Sequence, residues 1–117
     1  MKGSIMTKLQ NWNQIIGQNR TNKYGANSYK QKEMQEISLY LKDLEPIKEY
    51  PIEIIFTWHI KNVNSDLDNK STKAILDQMQ KQGILENDNI KHIRKITHIA
   101  VKDKEEYVEF EIKKMEV

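Results

Sequence analysis

Apolar and polar residues alternate most cleanly in the middle of the chain. Ile52, Ile54, Phe56, Trp58 and Ile60 are interleaved with Glu53, Ile55, Thr57, His59 and Lys61. Period two over this length predicts a half-buried strand, opened by Pro51, with Trp58 facing the core and His59 facing solvent. Upstream, Met34, Ile37, Leu41 and Leu44 recur at helical spacing. They predict a helix capped by Asn27 or Ser28, running to about Leu44 and stopped by Pro46. Downstream, Thr72, Ile75, Leu76 and Met79 form a second helical stripe. That helix is predicted to be capped by Asn69 or Ser71 and to end near Gln82, with Gly83 at the C′ position.

The remaining segments read less sharply. Residues 5–9 suit a short first strand, and the Asn- and Gly-rich residues 10–27 suit a long loop. Ile93 to Val101 reads as a strand. Val108, Phe110 and Ile112 alternate with Glu109, Glu111 and Lys113 as a last one. The polar stretch Lys102–Glu106 between them suits a hairpin turn. The order β-α-β-α-β-β predicts an α+β fold of two layers, a mixed sheet with helices packed on one face. The 117 residues suit one domain spanning residues 1–117.

Composition removes several classes. No cysteine is present, which excludes a disulfide scaffold and any thiolate metal site. No run of about 18 apolar residues exists to span a membrane. The opening residues lack the apolar core of a secretory signal, so a cytoplasmic protein is expected.

Net charge is only +2, but its distribution is uneven. Lys2, Lys8, Arg20, Lys23, Lys30 and Lys32 fall in residues 1–32, which hold no Asp or Glu. Such a segment can present a cationic face to a polyanion, with Arg20, Lys23, Lys30 and Lys32 as candidate contacts to a DNA backbone. Trp12 and Tyr24 could stack on unpaired bases. A second basic stretch holds Lys91, His92, Arg94, Lys95, His98, Lys102 and Lys104, and its histidines have no carboxylate at a convincing ligand spacing.

The candidate chemistry lies around the second helix. Asn64-Ser65-Asp66-Leu67-Asp68-Asn69 precedes it. In an extended segment Asp66 and Asp68 point the same way. Two carboxylates on one side can chelate a hard cation such as Mg²⁺, although a bare D-x-D also fits a polar capping loop. Asp88 follows the helix in Gly83-Ile84-Leu85-Glu86-Asn87-Asp88. A helix of about 13 residues is roughly 20 Å long. An extended chain from Gly83 to Asp88 covers about 17 Å, so Asp88 can return to the other two aspartates. Glu86 is the rival third ligand. Calcium-loop spacing fails, because Lys70, Ser71 and Asp77 stand where an EF-hand needs Asp or Asn, Gly and Glu. Lys73 lies at the flank of the apolar stripe, where it can reach a phosphate held by the carboxylates. Lys70 lies opposite the stripe.

Three pieces in order resemble the RusA family of Holliday junction resolvases. They are Asn13-Gln14-Ile15-Ile16 with Asn19-Arg20-Thr21-Asn22-Lys23-Tyr24 and Tyr29-Lys30-Gln31-Lys32-Glu33; Asp66-Leu67-Asp68-Asn69 with Lys73-Ala74; and Gly83 to Asp88. The resemblance implies a homodimeric, Mg²⁺-dependent endonuclease that cuts four-way DNA junctions. Its acidic residues fall on Asp66, Asp68 and Asp88 and its lysine on Lys73. In the family's best-known branch one residue fewer separates the acidic motif from the lysine, which leaves Lys70 as an alternative. The family's proline-rich opening and its arginine cluster before the acidic motif are missing here. Two symmetric incisions match a C2 dimer. A DNA-binding accessory without catalysis and a generic branched-DNA nuclease are the competing readings.

Overall fold

The computed structural model describes residues 1–6, 23–64 and 72–116, with the backbone alone for 23–31. Its elements are β1 (Lys2–Ile5), α1 (Lys23–Leu41), β2 (Ile52–Ile60), α2 (Lys73–Lys81), β3 (Ile93–Lys102) and β4 (Tyr107–Lys114). The four strands form one mixed sheet in the order β1-β4-β2-β3. β2 pairs parallel with β3 and antiparallel with β4, and β4 pairs antiparallel with β1. The fold is therefore the expected α+β arrangement. No helix among the described residues is long and apolar enough to cross a membrane.

Why β2 sits in the middle follows from its side chains. Ile52, Ile54, Phe56, Trp58 and Ile60 are all buried on one face, and the residues between them are half-buried. Val108, Phe110 and Ile112 of β4 share that face, as do Ile5 and Ile93. Ile37 and Leu41 of α1 and Ile75, Leu76 and Met79 of α2 close over it. Both helices thus lie on one side of the sheet. They also meet each other, where Gln82 donates a side-chain N–H to the Ser38 carbonyl at 3.3 Å.

The structure corrects several local expectations. β1 begins at Lys2 rather than residue 5, and residues 7–9 lie outside the described ones. Gly3 pairs with Phe110, and a Cβ on it would run into the Phe110 ring, which would have to shift to admit it. α1 starts at Lys23 instead of Asn27 or Ser28 and ends at Leu41. Leu44 is half-buried beyond the end, its N–H donating to the Leu41 carbonyl. α2 is capped by Thr72, with no side-chain hydrogen bond to the helix, and is only 9 residues long.

The largest correction concerns the last two strands. They do not form a hairpin. β3 and β4 flank β2 on opposite sides, so residues 103–106 carry the chain across the end of β2. Burial explains the placement. The apolar face of β4 is buried, whereas β3 is buried only at Ile93 and suits an edge.

Candidate metal and DNA-contact site

Asp88 stands on a loop that is fixed at both ends. α2 stops in a Schellman turn. The Ile84 N–H donates to the Met79 carbonyl at 2.9 Å and the Gly83 N–H to Gln80 at 3.1 Å. Gly83 has φ of 75°, the left-handed conformation that this motif requires at C′. Ile84 and Leu85 then enter the core. The Ile47 N–H donates to the Ile84 carbonyl at 2.8 Å, and the Glu86 N–H donates to the Tyr50 hydroxyl at 3.0 Å. Beyond Asp88, the Asn89 carbonyl accepts from the backbone of His92 and Ile93. The His92 ring donates from Nδ1 to Asn89 Oδ1 at 2.6 Å and meets the edge of Tyr50 at 4.8 Å.

Between these anchors the Asp88 side chain is exposed, with no ion pair or hydrogen bond to another described residue. Glu86 differs. Its carboxylate lies 3.8 Å from His92 Nε2, a partner that sequence spacing had not revealed.

Lys73 is the first residue of α2 and is exposed, with Nζ 3.9 Å from Asp77 one turn on. A pair this open holds the ammonium only weakly. Asp66, Asp68 and the rival Lys70 lie outside the described residues. Among the described residues, no three His, Asp or Glu side chains are grouped to hold a metal ion.

The topology sets the distance that convergence requires. The chain leaves β2 at Ile60 and enters β3 at Ile93, which pairs with Ile52. Those ends are roughly 26 Å apart along the strand. α2 spans about 12 Å of the return, well short of the length predicted for it. A shorter helix brings its starting residue nearer to Asp88.

Of the candidate DNA contacts, Lys32 is exposed on α1. Lys23 and Lys30 belong to α1 at positions seven residues apart, which fall on one stripe of a helix, while Arg20 and Trp12 lie outside the described residues. Lys2, from the same basic segment, lies instead on β1 beside Glu111 of β4.

The helix-free face of the sheet holds a cluster that the sequence did not reveal. His59 was expected to face solvent, but its side chain is only 11% exposed. Its Nδ1 lies 3.0 Å from Asp103 Oδ2 and its Nε2 lies 3.2 Å from Glu109 Oε1. The ring stacks on Tyr107 at 4.0 Å. Nε2 is buried without a well-aligned hydrogen bond. Hydrogen bonds from the Lys104 and Glu105 backbone N–H groups, the former first, and from His59 hold the Asp103 carboxyl below its ordinary range. Burial, and then the Glu109 and Asp103 carboxylates, push the Tyr107 hydroxyl up. A carboxylate thus lies beside each ring nitrogen of His59. His59 pins the crossing from β3 to β4. Only the sheet order brings these residues together, since Asp103 lies in the crossing that follows β3 while Tyr107 and Glu109 lie on β4, on the other side of β2.

On the opposite face, Trp58 donates its indole N–H to His98 Nδ1 at 2.9 Å. Phe56 stacks on the same imidazole at 5.8 Å. Burial lowers the His98 pKa from 6.5.

No protein-family model matches this chain, and no curated protein matches it.

Proposed function

We propose that this protein is a Mg²⁺-dependent, structure-selective endodeoxyribonuclease that resolves four-way DNA junctions as a homodimer in the cytoplasm. The observation that carries the reading is Asp88: an exposed carboxylate, unpaired among the described residues, on a loop anchored by the core and by Tyr50. The segment with Asp66 and Asp68 enters the other end of the same short helix. The resemblance of these motifs to those of RusA resolvases supplies the substrate class.

Carboxylate oxygens form a hard donor set that suits Mg²⁺, and no described cation competes for Asp88. Asp66, Asp68 and Asp88 would hold the ion. Bound there, Mg²⁺ supplies a polarised phosphoryl group and a water of lowered pKa. Without it, the clustered carboxylates repel one another. Lys73 places its ammonium against the phosphoryl oxygens as negative charge develops on them. Lys32, with Lys23, Lys30 and Arg20, holds the DNA backbone.

The test is cleavage of four-way, three-way, flap and linear DNA by the purified protein, with Mg²⁺ and with EDTA. Preferential, Mg²⁺-dependent cutting of the four-way form is expected. Equal cutting of every branched form replaces the reading with a generic branched-DNA nuclease. Binding without cutting leaves a DNA-binding accessory.

A further inference from the structure

Both edges of the sheet are open among the described residues, but they are not alike. β1 has four residues and carries Lys2. β3 has ten, with Arg94, Lys95 and Lys102 confined to its ends. Its centre, Ile96-Thr97-His98-Ile99-Ala100-Val101, has no Asp, Glu, Lys, Arg or Pro. Ile96, Ile99 and Val101 are 41%, 45% and 39% exposed. The one irregularity in its pairing with β2 lies at the far end, next to Ile52 and Glu53. Long edge strands are ordinarily blunted by charge, proline or a central bulge, and the centre of this one carries none of these.

We propose that β3 pairs antiparallel with β3 of a second copy, about a two-fold axis at Ile99, to make one continuous eight-stranded sheet. The inference deepens the homodimer in the preceding reading and rests on that part of it alone.

Backbone direction and charge select this register. The Asp103 N–H donates to the Ile60 carbonyl. Backbone groups alternate sides along a strand, so odd-numbered residues from 97 to 103 turn toward β2. Ile96, His98, Ala100 and Lys102 turn theirs to the open edge. With Ile99 on the axis, His98 and Ala100 of the partner subunit exchange backbone hydrogen bonds. Ile99 faces Ile99 of the partner subunit as a non-hydrogen-bonded pair, Thr97 faces Val101 of the partner subunit, and Lys95 faces Asp103 of the partner subunit. A register centred on His98 sets Arg94 against Lys102 of the partner subunit inside the strand and loses the pair of Lys95 with Asp103 of the partner subunit, whereas the Ile99 register sets Arg94 only against Lys104 of the partner subunit, past the end of β3. The Ile99 register keeps the helices of both copies on the same side of the joint sheet. A second copy supplies the same strand running in the opposite direction, as a two-fold interface requires.

The absence of native cysteine makes the test clean. Ile99→Cys puts two thiols across the axis at about 4.5 Å between Cα atoms, within disulfide range. Under mild oxidation this variant is expected to form a covalent dimer on a non-reducing gel. Leu39→Cys, 65% exposed on α1, is not. Ile99→Lys is expected to raise the dimer dissociation constant in sedimentation at least about tenfold, with unchanged circular dichroism. A wild-type monomer at tens of micromolar overturns the proposal and the dimer together. A wild-type dimer that Ile99→Cys fails to cross-link and Ile99→Lys fails to weaken overturns the interface but leaves the dimer standing. Neither result depends on DNA cleavage, so a failed nuclease assay does not decide the interface.

Discussion

Gly83→Ala isolates the turn that carries Asp88. Gly83 adopts φ of 75°, and nothing lies within 4 Å of where its Cβ would be. The substitution therefore meets no steric clash, and its cost is the left-handed backbone alone, about 1–2 kcal/mol. Alanine also narrows the unfolded ensemble, which returns roughly 0.4–1 kcal/mol. The net loss is about 1 kcal/mol, with the hydrogen bonds to Met79 and Gln80 retained. Asparagine, which enters this region more readily than alanine, should lose less. Urea denaturation of the wild type, Gly83→Ala and Gly83→Asn measures the order, and a loss of this size lowers Tm by roughly 3–6 °C. An alanine variant as stable as the wild type, or an asparagine variant weaker than alanine, would refute the argument that backbone conformation selects glycine here.

Three further outcomes follow from other parts of the fold. Gly3→Ala drives a methyl into the Phe110 ring, whose residue is only 2% exposed, and should cost about 1–3 kcal/mol in the same assay; a neutral result would mean that β1 does not pack as described. Phe56→Ala empties a fully buried site and should cost about 3–5 kcal/mol, read from the denaturation midpoint, with a loss under about 1 kcal/mol excluding its central place in the core. The lowered pKa of His98 means that the unfolded chain takes up this proton first, so its contribution is complete above pH 6.5 and declines as pH falls below that value. Urea midpoints at about pH 7.5 and about pH 5.5 should differ more for the wild type than for His98→Asn, and equal differences would contradict that linkage.

Local patterns were legible where local physics decides them. The strict alternation of Ile52 to Ile60 marked the central strand, because a core face shows as period two. Gly83 marked the end of α2, because C′ needs positive φ. What could not be seen were pairings between distant segments. The polar residues between Val101 and Tyr107 look like a hairpin turn, yet β4 takes the interior position because Val108, Phe110 and Ile112 bury more than β3 does. His59 reads as a surface residue until Asp103 in that crossing and Tyr107 and Glu109 beyond it close around the ring. The start of α1 was obscured by Gly25 and Asn27, whose weak helix propensity the fold overrides. In the candidate site, Asp88 is exposed on a loop anchored through Tyr50. Asp66 and Asp68 were legible as a motif and lie outside the described residues.

The account depends on Asp66, Asp68 and Asp88 sharing one divalent ion. A Mn²⁺ titration followed by NMR tests this without DNA, since the paramagnetic ion broadens signals close to it. Broadening of the Asp88 amide in the wild type is predicted, with loss of that broadening in Asp68→Asn. An Asp88 signal unaffected by Mn²⁺, or broadened equally in wild type and Asp68→Asn, would contradict a shared site.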